Sequence, residues 1–176
     1  MKKIYLTLFF TITLSSELIL EITQGTENPF RVALLEFDWD KNISNKIDEI
    51  IKNNLKRSGE FEIFEGSDLL SIPSNESEVI FNDFKILNID YLVMGKIKKD
   101  GSSLSVIYEV YEIKKGKKIR TSTVFGIPNK NRQLGHYISD GIYEEITGIK
   151  GIASTKILYI TENESFNLVI ADADGS

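Results

Sequence analysis

Apolar residues recur along this chain in two rhythms. Ile43, Ile47, Ile50, Ile51 and Leu55 fall three and four apart, and Leu134, Ile138, Ile142 and Ile146 fall four apart. Each set draws one apolar stripe on an amphipathic helix. Elsewhere the period is two. Leu104, Val106, Tyr108 and Val110 alternate with Ser105, Ile107, Glu109 and Tyr111, as in a strand with one buried and one mixed face. Two near-continuous apolar runs, FRVALLEF at 30–37 and YLVMG from Tyr91, read as central strands.

Punctuation residues divide these runs. Asn42 or Ser44 caps the first helix, which carries Asp48 and Glu49 early and Lys52, Lys56 and Arg57 late, the order a helix dipole favours. Ser58-Gly59 ends it, and Phe61 to Glu65 reads as a short strand. A second helix is predicted over 77–88, with Val79, Ile80, Phe84 and Leu87 on its covered side and Asn88 as a left-handed stop. Asp100-Gly101 is a hairpin turn signal, and Lys114-Lys115-Gly116-Lys117-Lys118 marks a second turn, read as solvated. Gly148 follows the last stripe residue of the third helix, where a left-handed cap belongs. Beyond Gly151 two more strands are predicted, around Tyr159 and around Val169.

The fold class that follows is α/β (α+β): a mixed sheet of about five strands with two to three helices packed on it. Strands are expected near 17–23, 30–37, 61–65, 90–98, 103–113 and 117–127, and helices near 43–58, 77–88 and 130–147. The strands at 30–37 and 90–98 each have an adjacent helix and are expected to run parallel.

Composition narrows the function. The formal charge is −5 and the pI is near 5.1, which argues against nucleic acid and against binding anionic lipid by charge. There is no cysteine, so disulfides, thiolate metal sites, a cysteine nucleophile and a lipidated-cysteine anchor are excluded. Met1-Lys2-Lys3, an apolar run from Ile4 to Leu14 and the small Ser15-Ser16 form the three regions of a secretory signal, too short to span lipid. Without those sixteen residues, which hold two lysines and no acid, the charge falls from −5 to −7.

Catalytic chemistry finds no footing. His136 is the single histidine and reads as a locally hydrogen-bonded residue of the third helix. Glu144 and Glu145 are adjacent on a helix and point apart. Asp38-Trp39-Asp40 reads as turn residues after a strand. Asp172-Ala173-Asp174-Gly175 has the opening of a calcium loop without its later oxygen ligands. No catalytic residue, cofactor or metal is assigned.

Gly135-His136, Ser139-Asp140 and above all Thr147-Gly148-Ile149-Lys150-Gly151, followed by a strand containing Tyr159, resemble the domain junction of the TolB family. The order "helix, Asn, Ile-Asp, apolar strand, Gly" at 77–95 and the terminal Asp-x-Asp-Gly are also similar to that family. The resemblance implies a periplasmic, non-enzymatic adaptor of the Tol-Pal system, which supports outer-membrane integrity and draws the outer membrane inward at division. It implies three regions: a signal peptide at 1–16, an α/β domain at 17–150, and at 151–176 the truncated first blade of a β-propeller. It also implies that Glu17, Leu18, Ile19, Leu20, Glu21 and Ile22 form an arm engaging a TolA-like inner-membrane protein, and that the Pal lipoprotein is met by a propeller absent from this sequence. Read from the residues alone, 17–23 is an ordinary edge strand, and the two readings are compatible. A blade takes four strands and about 40–45 residues, and two strands cannot bury both their faces, so the sequence reads as the front of a longer protein. The rival class is a periplasmic ligand-binding domain or enzyme on the same layout. It calls for a deep cleft lined by His136 and several acids.

Overall fold

The computed structural model describes residues 27–39, 47–162 and 165–174. The expected signal at 1–16, the arm Glu17 to Ile22, and Asn42, Ile43 and Ser44 lie outside them.

The described residues form β1 (Phe30–Leu34), β2 (Asp38–Trp39), α1 (Ile47–Arg57), β3 (Phe61–Phe64), α2 (Phe81–Ile86), β4 (Tyr91–Asp100), β5 (Ser103–Glu112), β6 (Lys117–Gly126), α3 (Asn131–Thr147), β7 (Lys156–Glu162) and β8 (Phe166–Asp172). One mixed sheet has the order β3-β1-β4-β5-β6 with β2 also on β4. β1 is parallel to β3 and to β4, as the flanking helices require, while β4, β5 and β6 form an antiparallel meander. β7 and β8 stand apart as a two-stranded antiparallel sheet, and neither joins the larger one.

The alternation of β1, β4 and β5 sorts their side chains to two faces. Val32, Leu34, Val93, Val106, Tyr108 and Val110 meet the stripes of α1 (Ile47, Ile51, Leu55) and α3 (Leu134, Ile138, Ile142, Ile146). Ala33, Leu35, Leu92, Met94, Tyr111 and Ile113 meet Phe84 of α2 and Ile89. Burying one such aliphatic side chain stabilises the fold by about 1.5–3 kcal/mol, so the α1–α3 layer dominates.

Three expectations need correction. The run 30–37 is not one strand. Leu34 pairs with Val93 but Asp38 pairs with Lys96, so the register slips by one residue between β1 and β2. The slip turns Phe37 inward, and a Cβ at Gly95 would lie 2.4 Å from its ring. The second helix is shorter than 77–88. Glu76–Glu78 is a 3-10 turn whose Asn75 side chain accepts from the Ser77 backbone, and Val79 is extended. Only Phe84 of its predicted stripe is buried, Val79 and Leu87 pack at the edge of the second core, and Ile80 faces solvent. The third is Asp38-Trp39, read as turn residues, which forms β2 on β4; the strand expected near 90–98 is present as Tyr91–Asp100.

Candidate functional site

Helix α3 carries side chains for three neighbours. Its apolar stripe faces the sheet. Gly135 and Ser139 face α1, where a Cβ on Gly135 would meet the Ile50 side chain at 2.6 Å. Arg132, His136 and Asp140, spaced four apart, face the segment that follows the helix. Gly148 ends the helix in the left-handed region, φ 73°, with its N–H donating to the Glu144 carbonyl. The chain then doubles back along the helix. The Asp140 carboxylate accepts from the backbone N–H of Ala153 at 2.7 Å and of Ser154 at 2.9 Å. Gly151 lies against the same residue: a Cβ there would be 2.6 Å from the Asp140 Cα.

A buried polar network joins α1 to α3. The Arg57 guanidinium donates to Asn54 Oδ1 at 2.7 Å. Asn54 Nδ2 donates to Ser139 Oγ at 2.9 Å, and Ser139 spends its own proton on the Gly135 carbonyl at 2.6 Å. Both contacts orient the Asn54 amide the same way, so its second N–H donates to His136 Nδ1, 2.9 Å away. The imidazole proton is therefore on Nε2. That atom is buried without a hydrogen-bond partner and lies 3.7 Å from Asp174 Oδ2. His136 itself is 2% exposed. Burial pushes its pKa below the ordinary value; the Asp174 charge opposes this and Arg132 reinforces it.

His136, Asp172 and Asp174 bring one imidazole and two carboxylates together, a donor set that invites a metal reading. The residues do not fit one. Arg132 is ion-paired to both aspartates and Lys156 to Asp172, so side chains already supply the positive charge. Lys156 holds the Asp172 carboxyl below its usual range. This is an ion-pair junction between α3 and the end of β8.

A cleft of about 450 Å³ opens beside the junction, lined among others by Asn54, Arg57, Ser139, Asp140, Ile149 and Ala153. Asp140 is its one acid, and His136 is not on its wall. The other residues singled out from the sequence lie elsewhere. Lys115 and Lys118 pair with Glu112, and with Glu76 and Glu109. Glu145 pairs with Arg120. Asp38 sits on β2 and is exposed. Glu17 to Ile22 cannot be placed among the described residues. The sequence places Arg57 only as a late basic residue of the first helix, and neither Asn54 nor Arg132 stands out in it. The available signals were a polar residue beside the apolar stripe of α1 and the four-residue spacing of Arg132, His136 and Asp140. No helix among the described residues is long and apolar enough to cross a membrane.

The model of the TolB amino-terminal domain family matches residues 18–119. The Tol-Pal system protein TolB of Alcanivorax borkumensis is 36% identical over 174 residues, covering 96% of this chain and 40% of that protein. Its counterpart in Hahella chejuensis is 34% identical over 185 residues, covering 99% and 43%. The crystal structure of TolB from Acinetobacter baumannii matches with a TM-score of 0.72 at 30% identity, over 88% of this chain and 39% of that one. The chain thus spans about two fifths of the length of the relatives it matches.

Proposed function

This chain belongs to the TolB family of Tol-Pal system proteins, and from that membership we propose that it acts as a non-enzymatic periplasmic adaptor working by partner exchange. Residues 1–16 export it, 17–150 form the α/β domain, and 151–176 open a β-propeller. Glu17, Leu18, Ile19, Leu20, Glu21 and Ile22 contact a TolA-like inner-membrane protein, and further propeller strands meet the Pal lipoprotein. Through these contacts the protein supports outer-membrane integrity and invagination at division. Occupancy of one surface biases the other, a two-site coupling.

The observation that carries this reading is the C-terminal hairpin. Leu158 pairs with Ile170 and Ile160 with Leu168, which puts four large apolar side chains on one face, all exposed, with Phe166 beside them. A two-stranded sheet is marginal alone, and such a face calls for further β structure. His136 lies off the wall of the junction cleft and its Nδ1 is engaged by Asn54. That weighs against the enzyme reading, which needs His136 and several acids in one cleft.

The test is deletion of Glu17 to Thr23 from the full-length protein, followed by titration with the TolA-like partner. Loss of binding with retained Pal binding supports the arm. Unchanged affinity removes it.

A further inference from the structure

We infer that His136 is an acid-responsive coupling residue, at which uptake of one proton exchanges a helix–helix contact for a helix–hairpin contact. This goes beyond the partner reading and does not depend on it.

The geometry sets up the exchange. Nδ1 accepts from Asn54, whose amide is oriented by Arg57 on one side and by Ser139 on the other. A second proton on the ring has only Nδ1 to go to. There it meets the Asn54 N–H head-on, and the amide cannot turn over without also abandoning Arg57 and Ser139. The Asn54–His136 bond between α1 and α3 is therefore lost when the ring is charged, while Asn54 stays on Ser139. At the other end of the ring, Nε2 lies 3.7 Å from Asp174 Oδ2, an oxygen that Arg132 also holds, beyond hydrogen-bond reach of the ring. An imidazolium strengthens that attraction and draws the turn after β8 inward, where a charge-assisted bond satisfies the buried donor. One proton thus loosens one interface of α3 and tightens another, the local event on which histidine switches rest.

The charged groups facing the ring are Arg57 from α1, Arg132 from α3, and Asp172 and Asp174 from the segment ending β8. Burial and the two arginines disfavour the charged ring, and the aspartates favour it. The net direction is downward from 6.5. The unfolded chain therefore binds more protons than the folded one just below neutrality. Stability from this site is full above the unfolded value and is lost as pH falls through the folded one.

The chain has one histidine, so its imidazole nitrogens can be followed by NMR in the whole protein without ambiguity. At about pH 8 the ring should be in the Nε2–H tautomer, and on acidification it should titrate below its ordinary value of about 6.5. The Ala173 and Asp174 amides and the Asn54 side-chain amide should shift with the same midpoint. An Nδ1–H tautomer, a midpoint at or above the ordinary value, or hairpin signals flat through the titration would overturn the inference. Asn54→Asp gives an independent check, because its carboxylate accepts where the amide donated. The tautomer should invert to Nδ1–H and the midpoint should rise by at least about one unit, tenfold in proton affinity. An uninverted tautomer in that variant sinks the proposal. If the variant does not fold, the wild-type titration decides alone.

Discussion

At Gly141 the gap between helix and sheet is set by a missing methyl group. A Cβ there would lie 2.2 Å from the Tyr108 hydroxyl oxygen but 3.4 Å from the ring carbon that bears it. Gly141→Ala should therefore destabilise the protein by about 1–3 kcal/mol, the usual range for overpacking. Tyr108→Phe removes the clashing oxygen. In a double-mutant cycle by chemical denaturation the pair should show favourable coupling of roughly 1 kcal/mol or more. Additive losses would mean the helix backs away from the sheet instead. The buried network makes a second residue-scale prediction. Asn54→Ala strips a partner from His136, Ser139 and Arg57 at once, and should cost about 2–3 kcal/mol, since buried polar groups left unpaired lose their full desolvation energy. A stability change near that of an exposed site, within about 0.5 kcal/mol, would show that water replaces the amide without loss. The sequence hid this role. In the α1 helix Asn54 sits next to Leu55 and looks like a boundary residue. Its importance comes from Ser139 and His136, more than eighty positions away.

Whole elements were legible where one period ran unbroken. The stripes of α1 and α3 and the alternation of β5 are legible from spacing alone, and Leu134, Ile138, Ile142 and Ile146 of α3 are all buried as the four-residue repeat requires. Where two signals competed, the reading failed. At 30–37 the apolar run concealed the one-residue slip, because both faces of that strand are buried and hydrophobicity alone does not report register. At 77–88 a helical spacing of apolar residues lost to a local competitor, the Asn75 side chain that holds Glu76–Glu78 in a 3-10 turn. Phe84 is the one buried side chain of the surviving helix α2, with Phe81 packed at the edge against the Tyr111 ring. Phe84→Ala should cost about 3–5 kcal/mol as a core cavity. Ile86→Ala, on the same helix but 63% exposed, should fall within about 0.5 kcal/mol. Equal losses from the two, measured by thermal or chemical unfolding, would contradict the orientation of α2.

For the molecule as a whole, the question is whether the sheet and the hairpin unfold as one. The six-stranded sheet holds both buried clusters, whereas the β7–β8 face of Leu158, Ile160, Leu168 and Ile170 lies open. The links between them are polar: Asp140 to the Ala153 and Ser154 N–H groups, and Arg132 to Asp172 and Asp174. Hydrogen bonds to a charged acceptor contribute about 1.5–3 kcal/mol each, enough to hold a marginal hairpin but not to fuse it into the core's cooperativity. Stability should accordingly be divided, with the hairpin opening at a lower free energy than β4 and β5. Asp140→Ala isolates the link. It removes the acceptor for two N–H groups without touching either buried cluster. Native-state hydrogen exchange should then quicken at residues 153–162 and 165–172 by roughly 10–100-fold, since each 1.4 kcal/mol is a factor of ten. The slowest amides of β5 should stay within a factor of about two, the range of a surface change. If β5 accelerates in step with the hairpin, the two sheets form one cooperative unit. The junction would then be a structural weld rather than a joint, and the coupling proposed for His136 would have no independent element to move.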